Sequence, residues 1–202
     1  MAEKAGTMVD VGRSDDEQSR AILEAASRVL SEEGASALTV RRIASEAGCS
    51  TMGLYSRFGG KEGVVDELYV EGFGHLCDSM SAIPQTDDPV ADMLTCARTY
   101  RATALTHATH YMVMFGGAVP EFVPSDTSRV VARGAFERLV ARVQRCIDAG
   151  AFKGDAAEIA EICWGAMHGH VMLELVGIDP KKGDPAERYD RLLDTLLDGL
   201  RH

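Results

Sequence analysis

Aromatic residues are scarce in this sequence: 6% of 202 positions, with a single tryptophan. No apolar run reaches the ~18 residues that a membrane span needs. Met1 to Gln18 is polar and acidic and lacks the apolar stretch of a secretory signal, so no membrane partner is expected. The five cysteines, Cys49, Cys77, Cys96, Cys146 and Cys163, are odd in number, widely spaced and form no CxxC pair. That pattern argues against a disulfide framework or a zinc knuckle and fits a reduced, cytoplasmic setting. Positive charge is also short, with a net charge of −10. A basic footprint over the whole surface is thereby excluded, although a local patch is not. There is no GxSxG, Walker loop, HExxH or Rossmann glycine fingerprint, and the many carboxylates read as solvated helix faces. An enzyme is not expected, and no cofactor is called for.

Apolar periodicity of the helical kind is abundant. With 46% hydrophobic and 26% charged residues, the chain suits a soluble globular protein of one large or two small domains. No stretch alternates as a strand would, and no internal repeat is visible, so the expected fold is all-α with about nine helices. Residues 1–14 read as a flexible tail. From Asp15, Ile22, Ala26, Val29 and Leu30 share one face, with Ser14, Asp15 and Asp16 as capping choices and Gly34 as the stop. Thr39 caps a short helix carrying Val40, Ile43, Ala44 and Ala47. Gly48 breaks it, and Ser50 or Thr51 caps a third helix that ends near Phe58. A connecting helix spans 61–83. Pro84 to Pro89 marks the seam before a second domain over 90–202. There a helix is expected over 90–110 and an apolar turn region over 111–125. Asp126 would cap a long helix ending at Gly150, Asp155 opens another to about Val176, and a last helix carries a leucine stripe.

Residues 15–60 hold the most informative stretch, from Leu38 to Lys61. Two short helices meet across a tight turn, with Ala44 and Ala47 small enough for a close crossing and Gly48 free to make the turn. Val40, Ile43, Leu54 and Tyr55 would supply a shared core. This is the layout of a helix-turn-helix, whose second helix enters the major groove. Arg41, Arg42, Arg57 and Lys61 leave a local excess of +3 in this window. Charge alone is equally compatible with a solvated face of a helical bundle.

Arg20, Ile22, Leu23, Ala25, Ala26, Gly34, Leu38-Thr39-Val40, Ile43-Ala44, Ala47-Gly48, Leu54-Tyr55, Phe58 and Lys61-Glu62 occur in an order that resembles the N-terminal domain of TetR-family transcriptional regulators. The resemblance covers about residues 18–70. It implies a DNA-binding three-helix domain in which Thr39, Ser50 and Thr51 offer hydroxyls to phosphates and Lys61 reaches a phosphate from the next helix start. Tyr55 would pack and donate its hydroxyl to the backbone. Arg42, Thr51, Met52 and Arg57 lie where groove or backbone contacts are expected. Met52-Gly53 departs from the family, which often reads Gly, then Thr or Ala, before Leu-Tyr. A glycine in so short a helix costs up to ~1 kcal/mol, whereas Met52 could meet a thymine methyl.

In the second half, Trp164, His168 and Gly169 resemble the signature of the TetR-type C-terminal domain named for Trp, His and Gly, and Met114-Phe115-Gly116 matches a second marker of that subgroup. The helix from Asp155 to Val176 is apolar on nearly every face after Glu161, so it must be covered all round. Either these helices fill an ordinary monomer core, or one face packs a partner subunit, with Gly165, Gly169 and Leu173 on this helix and Leu192, Leu196 and Leu200 on the last. Two such helices from each chain make a four-helix, two-fold dimer interface. Met93, Met112, Met114, Phe115, Trp164, Met167, His168 and Met172 suit an ordinary core and also an adaptable apolar pocket, which the resemblance implies.

The resulting expectation is a cytoplasmic homodimer on double-stranded DNA, released from a pseudo-palindromic operator by a small-molecule effector. Two alternatives stand beside it. One is a metal-responsive regulator, with zinc held by His107, His110 and a sulfur from Cys96 or Cys163, although no resident metal is expected. The other is a helical ligand-binding protein that no longer binds DNA because of Gly53.

Overall fold

A computed structural model of the chain describes residues 8–178 and 183–200. Nine α-helices and no strands occur among the described residues. They are α1 (Met8–Glu33), α2 (Val40–Glu46), α3 (Thr51–Phe58), α4 (Lys61–Ser81), α5 (Pro89–Thr106), α6 (Ala108–Phe115), α7 (Asp126–Asp148), α8 (Ala156–Leu175) and α9 (Pro185–Leu200). Most helix starts follow from side chains that satisfy the orphan amides of a first turn. Thr39 accepts from the Arg42 amide, Ser50 from Gly53, Asp88 from Val90 and Ala91, and Asp155 from Ala157 and Glu158. At α7 the cap is Ser125, which accepts from the Ser128 amide, and Asp126 is already helical. Helix α1 begins at Met8, so Ser14, Asp15 and Asp16 lie inside it rather than at its start. The remainder of the expected tail and most of the loop after Ile178 lie outside the described residues.

A larger difference falls in the second half. The helix expected over 90–110 stops at Thr106 and restarts at Ala108, with His107 closing one helix and opening the other. The stretch Tyr111 to Phe115, expected as a turn, is therefore the body of α6. Its apolar character suits that place, because Tyr111 and Val113 are both buried.

Two apolar cores stack end to end. Ile22, Val29, Leu38, Ile43, Leu54 and Val64 build the first, under α1–α4. Tyr100, Tyr111, Val143, Ala160, Val171 and Tyr189 anchor the second, under α5–α9. Helix α4 belongs to both: Val64 to Phe73 lie in the first core, and Leu76 lies in the second. Asp66 on α4 accepts from the Ser125 amide at 3.0 Å and from the Ser128 hydroxyl at 2.7 Å, pinning α4 to the start of α7. Arg101 on α5 holds Glu174 on α8 through two nitrogens, at 2.6 and 2.9 Å.

A buried charge ties the α4–α5 loop to α7. Asp92 is 5% exposed. It accepts from the Thr86 amide at 2.9 Å, the Arg145 guanidinium at 2.9 Å and the Thr86 hydroxyl at 2.8 Å. Those donors hold its pKa down at about 2, against an ordinary 3.8. A depressed carboxyl stabilises the fold fully above its unfolded pKa and loses that contribution as protons arrive. Asp92→Asn should therefore lower the melting temperature at pH 7. The gap between wild type and variant should shrink as pH falls from about 4 toward 2. A constant gap over that range would remove Asp92 from the acid response.

Candidate nucleic-acid interface and effector cavity

Helices α2 and α3 cross over the floor formed by Ile43 and Leu54, both fully buried. Gly48 makes the turn at φ 64°, a conformation that costs a glycine little. Gly59 ends α3 in the left-handed region, where its amide donates to the Tyr55 carbonyl. Gly53 leaves α3 unbroken. A methyl there would meet Ser50 Oγ at 3.4 Å, an ordinary contact, so lack of space does not dictate the glycine.

The outward face of α3 carries Thr51, Met52, Tyr55 and Ser56, all exposed. Met52 is 75% exposed and Tyr55 52%, so Tyr55 does not belong to the core expected of it. Its ring lies instead beside Gly60, 3.5 Å from where a Cβ would sit. Thr39, Arg41 and Ser50 are also exposed, and Lys61 is half-buried at the first position of α4. No side chain caps α4, whose cap position is Gly60. Its first amides are left for an acceptor from outside.

Two of the expected contact residues are engaged within the protein. Arg42 binds Glu33 at 2.7 Å and Glu46 at 2.9 Å, and Arg28 completes the chain to Glu46 at 3.1 Å. This network braces α1 on α2 and neutralises part of the local positive excess. Hydrogen bonds to Glu33 and Glu46 raise the Arg42 pKa further. Arg57 Nη1 donates to the Gly53 carbonyl at 3.2 Å.

A cavity of about 240 Å³ lies where the two cores meet. Helix α4 supplies Tyr69, Phe73, Leu76 and Met80; α5 supplies Met93, Cys96, Ala97 and Tyr100; α7 supplies Ala132, Ala135, Phe136 and Leu139. Met114 and Phe115 on α6 and Trp164 and Met167 on α8 complete it. No formally charged side chain lines it. Five of the residues expected in a pocket are present (Met93, Met114, Phe115, Trp164 and Met167), whereas Met112, His168 and Met172 are not in the wall. Met112 lies over Gly116 instead. The α4 and α7 wall is not expected from the sequence, because those residues carry only the spacing of ordinary core positions.

Residues 22–68 match the family described as bacterial regulatory proteins, tetR family, and residues 93–196 match the tetracyclin repressor-like C-terminal domain. The chain belongs to the tetR family. An HTH-type transcriptional regulator of Mycobacterium tuberculosis is 30% identical over 140 residues, which are 66% of this chain and 57% of that protein. The chain thus spans well under two thirds of the length of the curated relatives it matches. Among solved structures, a Rhodococcus sp. RHA1 protein of unknown function superposes with a TM-score of 0.79 at 24% identity, covering 92% of this chain and 96% of its own. The regulator PfmR from Thermus thermophilus gives 0.70 at 21%, covering 90% and 99%. The fatty acid degradation regulator FadR from Bacillus halodurans gives 0.75 at 21%, covering 99% and 100%. These structures share the fold.

In this tetR-family chain the Trp-His-Gly residues have a physical role. His168 is outside the cavity wall but behind it, packing edge-on against Phe115 at 4.9 Å and beside Trp164 at 5.8 Å. Its Nδ1 lies 2.7 Å from the Tyr111 hydroxyl, which lies 2.6 Å from that of Tyr100. Burial lowers the His168 pKa and pushes Tyr100 up to about 12, so all three groups are neutral at pH 7. This thread of hydrogen bonds ends on Tyr100, a residue of the cavity wall.

The face of α8 turned away from the cavity is apolar and open. Ile162 and Leu173 are each 49% exposed, and open space lies outside Gly165 and Gly169 between them. On α9, Leu192, Leu196 and Leu200 are half-buried. The expected zinc donors are not assembled, since Cys96 and Cys163 are buried in the second core away from His107 and His110.

Proposed function

We propose that this tetR-family protein is a cytoplasmic homodimeric repressor that reads a pseudo-palindromic operator through α3 and is released by an apolar small molecule. The carrying observation is that α4 forms one wall of the cavity and, at its other end, abuts the helix-turn-helix. An occupant that moves Tyr69, Phe73, Leu76 and Met80 moves the helix on which α2 and α3 ride. To weaken operator binding it must favour one spacing of the two recognition helices over another. The uncharged wall selects an uncharged, hydrocarbon-rich effector, because a buried charge without a partner is costly. The name of the Bacillus halodurans neighbour, a fatty acid degradation regulator, is in keeping with that class. The exposed row Ile162, Gly165, Gly169 and Leu173, together with Leu192, Leu196 and Leu200, is offered as the dimer face. Thr39, Arg41, Ser50, Thr51, Met52, Tyr55 and Lys61 are offered as the DNA-contacting set.

Selection from a random double-stranded DNA library at about physiological salt tests the reading. Enrichment of two half-sites with centres ~34–36 Å apart, or a multiple of that, is the expected result. Folded, dimeric protein that enriches no sequence would overturn it.

A further inference from the structure

Helix α4 carries a second group of chemically capable side chains, separate from both the cavity wall and the recognition helix. His75 on α4, His107 at the α5–α6 junction and His110 on α6 offer ring nitrogens that all lie within 4.8 Å of one another. The His75 and His107 rings are stacked, with centroids 3.8 Å apart and planes 15° from parallel. His110 stands edge-on to both, at 5.2 and 6.1 Å. Its Nε2 lies 3.1 Å from Glu71 Oε2, one turn back along α4.

All three rings are half-buried, and no protein hydrogen bond engages the ring nitrogens of His75 or His107 among the described residues. Burial, reinforced by the neighbouring imidazoles, lowers the pKa of both His75 and His107. A neutral imidazole keeps a lone pair available for a ligand bond.

We propose that His75, His107 and His110 bind one divalent transition-metal ion of the zinc class, with Glu71 holding the His110 ring in place. Three imidazoles with no carbonyl or thiolate suit zinc, nickel or copper and disfavour magnesium and calcium. Zinc–nitrogen bonds of ~2.0–2.1 Å in a tetrahedron place donors roughly 3.3 Å apart. Turning the two stacked rings toward a common point closes the present separation. A carboxylate on the far nitrogen of a ligating histidine fixes its tautomer and raises its basicity, which is the role geometry gives Glu71. The ion would clasp α4 to the α5–α6 junction. That clasp is independent of the operator-binding reading, and only its effect on DNA affinity rests on it.

The test is calorimetric titration of full-length, chelator-stripped protein with zinc chloride under a non-thiol reductant, followed by thermal melting. One zinc per chain and a raised melting temperature are expected, with no binding of magnesium. His75→Asn with His107→Asn should abolish binding while keeping the helical spectrum of the metal-free protein. If that pair fails to fold, His110→Asn serves in its place. Glu71→Gln should weaken binding by about 10–100-fold. Cys77→Ser, on α4 two residues from His75, should bind as wild type does. The proposal is overturned by a wild type that shows no saturable zinc binding, by a histidine variant that retains it, or by loss of binding in Cys77→Ser. DNA binding is read separately, so failure of the operator reading leaves this result interpretable.

Discussion

Gly63→Ala is expected to dislodge the helix-turn-helix from α4 and to lower the melting temperature by roughly 10 °C. Gly63 sits in the first turn of α4 and faces the last residue of α3. A Cβ there would fall on the Phe58 carbonyl oxygen and stand 2.9 Å from its carbon. A backbone carbonyl cannot swing aside as a side chain can, so the two helices must part. Beneath them Leu54, Val64 and Val65 are at most 1% exposed, and parting the helices opens that core. Forcing atoms into a packed interior costs about 1–3 kcal/mol, occasionally more, and the fixed backbone puts this case at the high end. Gly74→Ala is the internal control. It lies on the same helix with nothing within 4 Å of its Cβ position, so its higher helix propensity should leave stability unchanged or raise it by up to ~1 kcal/mol. If the two variants melt alike, the close approach of α3 and α4 is wrong.

Helix starts are legible in the sequence because capping chemistry is local. Thr39, Ser50 and Asp155 each announce a first turn by residue type alone, and Gly48 and Gly59 announce the breaks. The junction at His107 is not legible. Thr106-His107-Ala108 contains no proline or glycine, and the apolar pattern runs on across it, so the sequence alone suggests one long helix and a turn. The same junction explains the histidine cluster. The sequence displays His107 and His110 three apart, but His75 joins them only because α4 packs against α6. The sequence alone offers a cysteine as a conceivable third ligand, and Cys96 and Cys163 lie in the second core. The cavity is half legible: Met114, Phe115 and Trp164 stand out by type, whereas Tyr69, Phe73 and Ala135 become a wall only once α4 and α7 are docked. For Arg42 the sequence reports the charge but not the carboxylates of Glu33 and Glu46 beside it.

Arg41→Ala combined with Lys61→Ala is expected to flatten the salt dependence of operator binding while leaving the fold intact. Each phosphate contact contributes about 0.9 to the slope of log K against log salt. Two contacts per chain in a dimer remove about 4 from it, which is a loss on the order of a thousandfold at ~0.1 M salt. Stability should hold, because Arg41 is exposed and has no ion-pair partner among the described residues. Lys61 sits at the positive end of α4, where a cation is mildly unfavourable. A lysine in that position is better accounted for by a phosphate than by the helix. Arg42→Ala is the less informative choice, since it also strands Glu33 and Glu46, 2.7 and 2.9 Å from the guanidinium it removes. Met52→Ala should behave oppositely, keeping the slope and relaxing the base preference at one position of each half-site, because an apolar contact in the major groove carries sequence and no charge. The two slopes measured side by side separate phosphate grip from base reading on the same surface. An unchanged slope in Arg41→Ala with Lys61→Ala would move the phosphate contacts away from the starts of α2 and α4.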